Sequence, residues 1–262
     1  MKRTAVFLLC LFFIFPARAL EETPASIPDA TYALLPLIEK KEGEETVLAL
    51  ESSYYSGETI YKGTTSAPLT GACALHCAAV VITNLSGETV TAQQVAKANN
   101  ISKTSARYWR AFVAWGKLES AYRVRFDCFD MAQYGSRLKA NGVKTDDRRR
   151  GKLDALISAL NEKGAGVGLI VHFNSTGKLN GSGKKHAVVV LGYIKKNGVV
   201  TDLLISDSSV APPSGACVRL SESSLPLSML GEKKLAKADR ETLALQMMDY
   251  VVSYRFIEKK PD

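Results

Sequence analysis

Cys73 stands in the run Gly71-Ala72-Cys73-Ala74-Leu75-His76-Cys77-Ala78-Ala79-Val80-Val81; His186 opens an apolar run about a hundred residues later, and Asp207 closes the next one. These residue types in that order suit nucleophilic acyl chemistry. A thiol in the first turn of an apolar helix meets the partial positive charge of the helix N-terminus, which favours the thiolate. A His on a neighbouring strand takes the thiol proton, and an acid holds the imidazole in the working tautomer. Asp202 competes with Asp207 for the last role but falls inside its strand rather than at the end.

His76 follows Cys73 by one helical turn, near enough to touch it. With Cys73, Cys77 and His172 it also offers metal-ligand types. Yet Cys73-x-x-His76-Cys77 lacks the second short-spaced pair that tight zinc sites use, so no metal and no other cofactor is expected. His172 reads as a strand residue facing solvent or a neighbour.

These side chains need a helix and a sheet to hold them. From Ala72 to about Leu85 small and apolar residues fill nearly every position, which predicts a helix buried on most sides, with Gly87 at its end. Gly166–Phe173, His186–Tyr193 and Val199–Ser206 read as strands, the last two joined by a turn at Lys196-Asn197-Gly198. An antiparallel arrangement then puts His186 at the start of one strand and Asp207 at the exit of the next. Met248–Ile257 reads as a fourth strand behind a helix-favouring Glu241–Met247. Upstream lie a short helix over Thr91–Ala98 and a longer one over Ser105–Leu118 with Trp109 and Trp115 as core. A strand over Val124–Phe129 follows, then helices over Met131–Ala140, stopping at Asn141-Gly142, and Leu153–Leu160. Helices first and strands later indicate an α+β domain. The Gly- and Ser-rich loop Asn174–Lys185 is placed to gate a cleft.

Met1-Lys2-Arg3, an apolar Thr4–Phe15 and the closing Ala17-Arg18-Ala19 read as a secretory signal peptide over 1–19, cut after Ala19. Its apolar part is shorter than the roughly 20 residues an anchor needs. The expected product is secreted or periplasmic, without an integral membrane anchor. Residues 20–53, rich in Glu, Pro and Ala, read as an N-terminal extension or propeptide, and 54–262 as a single catalytic domain. Cleavage removes three basic residues and no acid, lowering the formal charge from +8 to about +5. The densest basic cluster, Arg148-Arg149-Arg150 with Lys152, reads as a solvated loop, and no nucleic-acid motif accompanies it. Of the cysteines that remain, Cys73 and Cys77 lie too close along one helix for an easy disulfide; Cys128 pairs with Cys217, or all four stay reduced.

The chain resembles papain-like cysteine peptidases, in particular the peptidase domains that process bacteriocin leaders (peptidase C39-like). In that family the nucleophile opens a helix in a run Cys-Gly-Pro-x-Ser/Ala-x-Ala-Met. The His begins a strand His-x-Val-Val-Val-x-Gly-Tyr, and an Asp or Asn ends the following strand. Cys73–Val80 keeps the small residues of the first motif without its Gly-Pro, His186–Tyr193 matches the second closely, and Ile205-Ser206-Asp207-Ser208 fits the third. The resemblance spans roughly Thr64–Val210. It implies a papain-like fold, with the nucleophile at a buried helix N-terminus packed on an antiparallel sheet. It also implies a Cys73–His186–Asp207 triad and hydrolysis of a peptide or protein substrate. The family's oxyanion-binding Gln has no counterpart, since no Gln stands between Leu20 and Cys73. Thr65, Ser66 or Thr70 is the substitute donor beside the Cys73 backbone N–H. Two alternatives stay open: an inactive papain-like module binding peptides or a cell-surface partner, and a transglutaminase-like amide transferase.

Overall fold

A computed structural model describes residues 37–50, 73–86, 90, 92, 94–95, 125–163, 167–208 and 217–258. The expected signal segment, the expected loop 54–70 with Thr65, Ser66 and Thr70, and the helix expected over Ser105–Leu118 with both tryptophans lie outside them. So does most of the helix expected over Thr91–Ala98.

The chain is a mixture of helices and antiparallel sheet, an α+β fold. Its organising element is β5, Lys185–Lys196, whose run of mainly β-branched and aliphatic residues is buried from Ala187 to Ile194. One edge of β5 carries β6, Val199–Ser206, through the Asn197-Gly198 turn; both turn residues have positive φ (53° and 78°), as a two-residue hairpin requires. The other edge is shared. β4, Leu169–Asn174, pairs with residues 185–190, and β2, Glu45–Ala49, continues along 192–196. At the handover sits Gly192, where a Cβ would meet the Leu48 carbonyl oxygen at 2.3 Å and the Ala49 Cα at 2.8 Å. Glycine is what lets β2 close on β5 there.

β1, Ile38–Glu42, pairs with β2; β8, Val251–Glu258, pairs with β4 and with β3, Arg125–Asp130; β7, Val218–Arg219, extends β6. Residues 38–49, read from the sequence as part of an extension ending at 53, thus form a hairpin built into the main sheet. Bidentate bonds from Arg219 to Glu45, at 3.1 and 2.7 Å, tie this hairpin to β7.

Alternation along β5 separates two apolar layers. Ala187, Val189 and Leu191, with Ile170 of β4, face helix α1, Cys73–Ser86. Every described side chain of α1 from Ala74 to Asn84 is buried, and Ala74, Ala78 and Ala79 keep its surface thin enough to lie close to the sheet. Its polar C-terminal residues find partners: Thr83 Oγ1 bonds the Val90 backbone, and Asn84 Nδ2 donates to the Val167 carbonyl at 3.2 Å. On the opposite face Val188 and Val190 pack with α2, Met131–Ala140, and α3, Thr145–Glu162. Three short C-terminal helices, α4 (Leu225–Leu230), α5 (Glu232–Leu235) and α6 (Leu243–Met247), close this layer.

Helix α3 begins eight residues before the expected Leu153, so Arg148–Arg150 are helical rather than a solvated loop. Asp146 and Asp147 in its first turn suit the helix dipole, and Arg149 joins Asp146 at 2.8 Å to Asp249 at 2.5 Å. Lys152 is buried, its Nζ donating to the carbonyls of Met248 and Val251. All four described cysteines carry free thiols, so the Cys128–Cys217 pairing is not formed. Among the described residues no helix is long and apolar enough to cross a membrane.

Candidate active site

Cys73 opens α1 and is half-buried; His186 is the second residue of β5; Asp207 directly follows β6 and has no exposed surface. Pairing of β5 with β6 brings the start of one strand beside the exit of the other. Packing of α1 on β5 then sets the helix N-terminus above both. His186 Nε2 lies 2.7 Å from Asp207 Oδ1, and the His186 side chain is also near enough to the Cys73 thiol to act on it by hydrogen bonding and by charge. With Nε2 held by the carboxylate, Nδ1 is the nitrogen left for sulfur. Backbone N–H groups of Ala187 and Ala74 bond the same sulfur.

The electrostatics follow from this geometry. Burial on its own would raise the Cys73 thiol, but the bond to His186, its positive charge and the two backbone N–H groups outweigh it and lower the pKa below the usual 9.0. For His186 burial acts downward, and is overcome by the bond to Asp207 and the bond to Cys73, so the imidazole stays protonated well above its usual range. The arrangement favours a thiolate beside an imidazolium. Cys77, one turn further along α1, shows the contrast: burial, then the charges of Cys73 and Asp207, push its thiol well above 9.0. Burial alone raises Cys217 to about 12.

Asp202, the competitor for the acid's role, is engaged elsewhere. Its Oδ1 accepts from the backbone N–H of Leu203 at 2.8 Å, and its Oδ2 from the Ser221 hydroxyl at 2.5 Å, pinning the segment after β7 to β6. His172 is buried rather than solvent-facing; burial first, and the nearby Arg255 charge, lower it to about 3. His76 is buried too, and its Nε2 is hydrogen-bonded to Ser206 Oγ at 3.1 Å. Among the described residues no group of three or more His, Cys, Asp or Glu side chains is arranged to hold a metal ion.

The loop before His186, expected from its Gly and Ser content to gate a cleft, has internal hydrogen bonds of its own. Asn174, with no exposed surface, holds it from inside: Nδ2 donates to the Lys178 and Gly181 carbonyls at 2.8 and 3.1 Å, and Oδ1 accepts from the Thr176 N–H and hydroxyl. The loop is a folded lead-in to β5. Sequence reading missed this role of Asn174 and the His76–Ser206 bond. The adjacency of Ser206 to Asp207, and of His76 to Cys73 by one turn, was the available signal; the pairing spans 130 residues.

No protein-family model, no curated protein and no solved structure matches this chain, so the functional reading rests on the geometry of these residues.

Proposed function

We propose that this chain is an exported, papain-like cysteine hydrolase that cleaves peptide or amide bonds, with Cys73 as nucleophile, His186 as base and then acid, and Asp207 as the group that orients the imidazole. The observation that carries this reading is the bonded series from Cys73 through His186 to Asp207, assembled from three separate elements. A buried helix presenting its first-turn thiol to an antiparallel sheet supports the papain-like fold, and the sequence of residues 1–19 supports export.

In this reaction the Cys73 thiolate attacks the carbonyl carbon, and the carbonyl π electrons move onto oxygen. The backbone N–H of Cys73, in the first turn where helix N–H groups have no intrahelical partner, donates to that oxyanion. Collapse expels the amine, which takes the proton from the His186 imidazolium and leaves an acyl thioester. His186, now neutral, removes a proton from water; the hydroxide attacks the thioester, and the thiolate and imidazolium re-form. Asp207 holds Nε2–H throughout, so Nδ1 alone carries the mobile proton.

The test is alkylation of the purified mature protein across pH, with Cys73→Ala and His186→Ala alongside and the modified residue located by mass spectrometry. Cys73 is expected to react selectively well below the pH at which ordinary thiols do, and His186→Ala to move that midpoint upward. A Cys73 no more reactive than Cys128 would leave a binding module as the reading.

A further inference from the structure

Beyond Cys73, α1 packs on β4 and β5 mainly through apolar side chains, and apolar faces tolerate small sliding and rotation because they have no directional partner. A nucleophile on α1 must nevertheless meet an imidazole and an acid carried by the sheet. Close to the site a buried polar contact joins α1 to β6: His76, one turn after Cys73, is hydrogen-bonded at 3.1 Å to Ser206, the residue directly before Asp207. Both partners are nearly inaccessible, His76 at 5 % and Ser206 at 1 % exposure, so water does not substitute for the bond.

We propose that His76 and Ser206 are positioning residues that lock the start of α1 to the exit of β6, setting the Cys73 sulfur at bonding distance from the His186–Asp207 pair. This rests on the hydrolase reading above. Neither residue touches substrate; they act through Cys73 and Asp207. His76 suits the role because it is held neutral: burial lowers its pKa to about 4, with Asp207 acting upward and His186 downward as the ionisable groups that reach it from the sheet. A neutral imidazole ties the helix down without competing with His186 for the Asp207 charge. Small misplacements matter here, since an error of about 1 Å in a reacting group costs on the order of a hundredfold in rate.

The experiment compares the pH midpoint and plateau rate of Cys73 alkylation in wild type, Ser206→Ala, His76→Phe, the double variant and His76→Gln, with thermal unfolding of each. Ser206→Ala removes a single oxygen and is the variant surest to fold. The expected result is an upward shift of the midpoint by about one pH unit in either single variant, the size of one net hydrogen bond. The double variant should shift no further, and His76→Gln, whose amide reaches the position of Nε2, should restore much of the wild-type profile. Single variants that keep the wild-type midpoint while wild-type Cys73 is reactive at low pH overturn the proposal and leave the hydrolase reading standing. A wild-type Cys73 with an ordinary midpoint overturns both.

Discussion

His186 Nε2 and Asp207 Oδ1 are 2.7 Å apart, and the carboxylate has no exposed surface, so this contact fixes both the orientation of the imidazole and the nitrogen turned toward Cys73. Asp207→Asn keeps the shape but removes the charge and permits the wrong tautomer. Hydrogen bonds to charged groups contribute about 1.5–3 kcal/mol, so Cys73 reactivity at neutral pH should fall roughly 10- to 150-fold. Asp202→Asn, five residues away, should leave reactivity near wild type and act on stability, since Asp202 serves Leu203 and Ser221. Stopped-flow alkylation and chemical denaturation of both variants separate the two effects.

The thiol is lowered and the imidazole raised, so the ion pair exists between those two values. Peptide hydrolysis should therefore be bell-shaped in pH. The acid limb marks formation of the thiolate, and the alkaline limb marks loss of the imidazolium proton that the leaving amine needs. Alkylation requires only the thiolate and should show no alkaline fall. In His186→Ala burial acts on Cys73 with only the Ala187 and Ala74 backbone N–H groups against it, so the midpoint should move upward toward or beyond that of an ordinary thiol.

Gly192→Ala should detach the N-terminal hairpin. The added methyl would lie 2.3 Å from the Leu48 carbonyl oxygen and 2.8 Å from the Ala49 Cα, both backbone atoms that cannot rotate away. Overpacking of this kind costs about 1–3 kcal/mol. Hydrogen exchange should accelerate at residues 45–49 while the β4–β5 pairing stays protected; uniform protection across both would show that β2 can move aside.

Lys152 carries a pH signature that is separate from the site. Burial lowers it to about 8, while Asp249 and Asp130 act upward, and a neutral amine still has two N–H groups for the Met248 and Val251 carbonyls. Because the unfolded chain binds this proton up to its ordinary value near 10.5, folding stability due to Lys152 rises with pH between those limits and is lost as pH falls through about 8. Lys152→Met should abolish that rise and lower stability by roughly 1–3 kcal/mol for each carbonyl left without a donor. Urea denaturation at pH 7 and pH 10 gives both numbers.

Much of the fold was legible where the signal is local. Val199–Ser206 and Met131–Ala140 have the bounds read from their pattern and turns, and α1 differs by one residue at either end. The reading failed where neighbours outweigh pattern. β1 is exposed throughout and rich in Lys and Glu, so it carries no alternation; it is a strand because β2 pairs with it and β2 is docked on β5. The first two turns of α3 read as loop because their charges crowd together, yet Arg149 is held by Asp146 and Asp249 and the stem of Lys152 is buried.

By itself the sequence determined the α+β composition, the helix that carries Cys73 in its first turn, the hairpin that brings His186 near the end of β6, and the residue types available for chemistry. These follow from periodicity, turn residues and side-chain pKa, all of which act within a few residues. Only the tertiary structure decided that Asp207 rather than Asp202 meets His186, that His76 turns to Ser206, and that Asn174 folds the loop its glycines left undefined. It also decided that the N-terminal hairpin completes the sheet. Each of the site contacts is a directional bond that forms once packing has desolvated its partners, and the His76–Ser206 bond joins residues 130 apart, a distance over which no local preference carries.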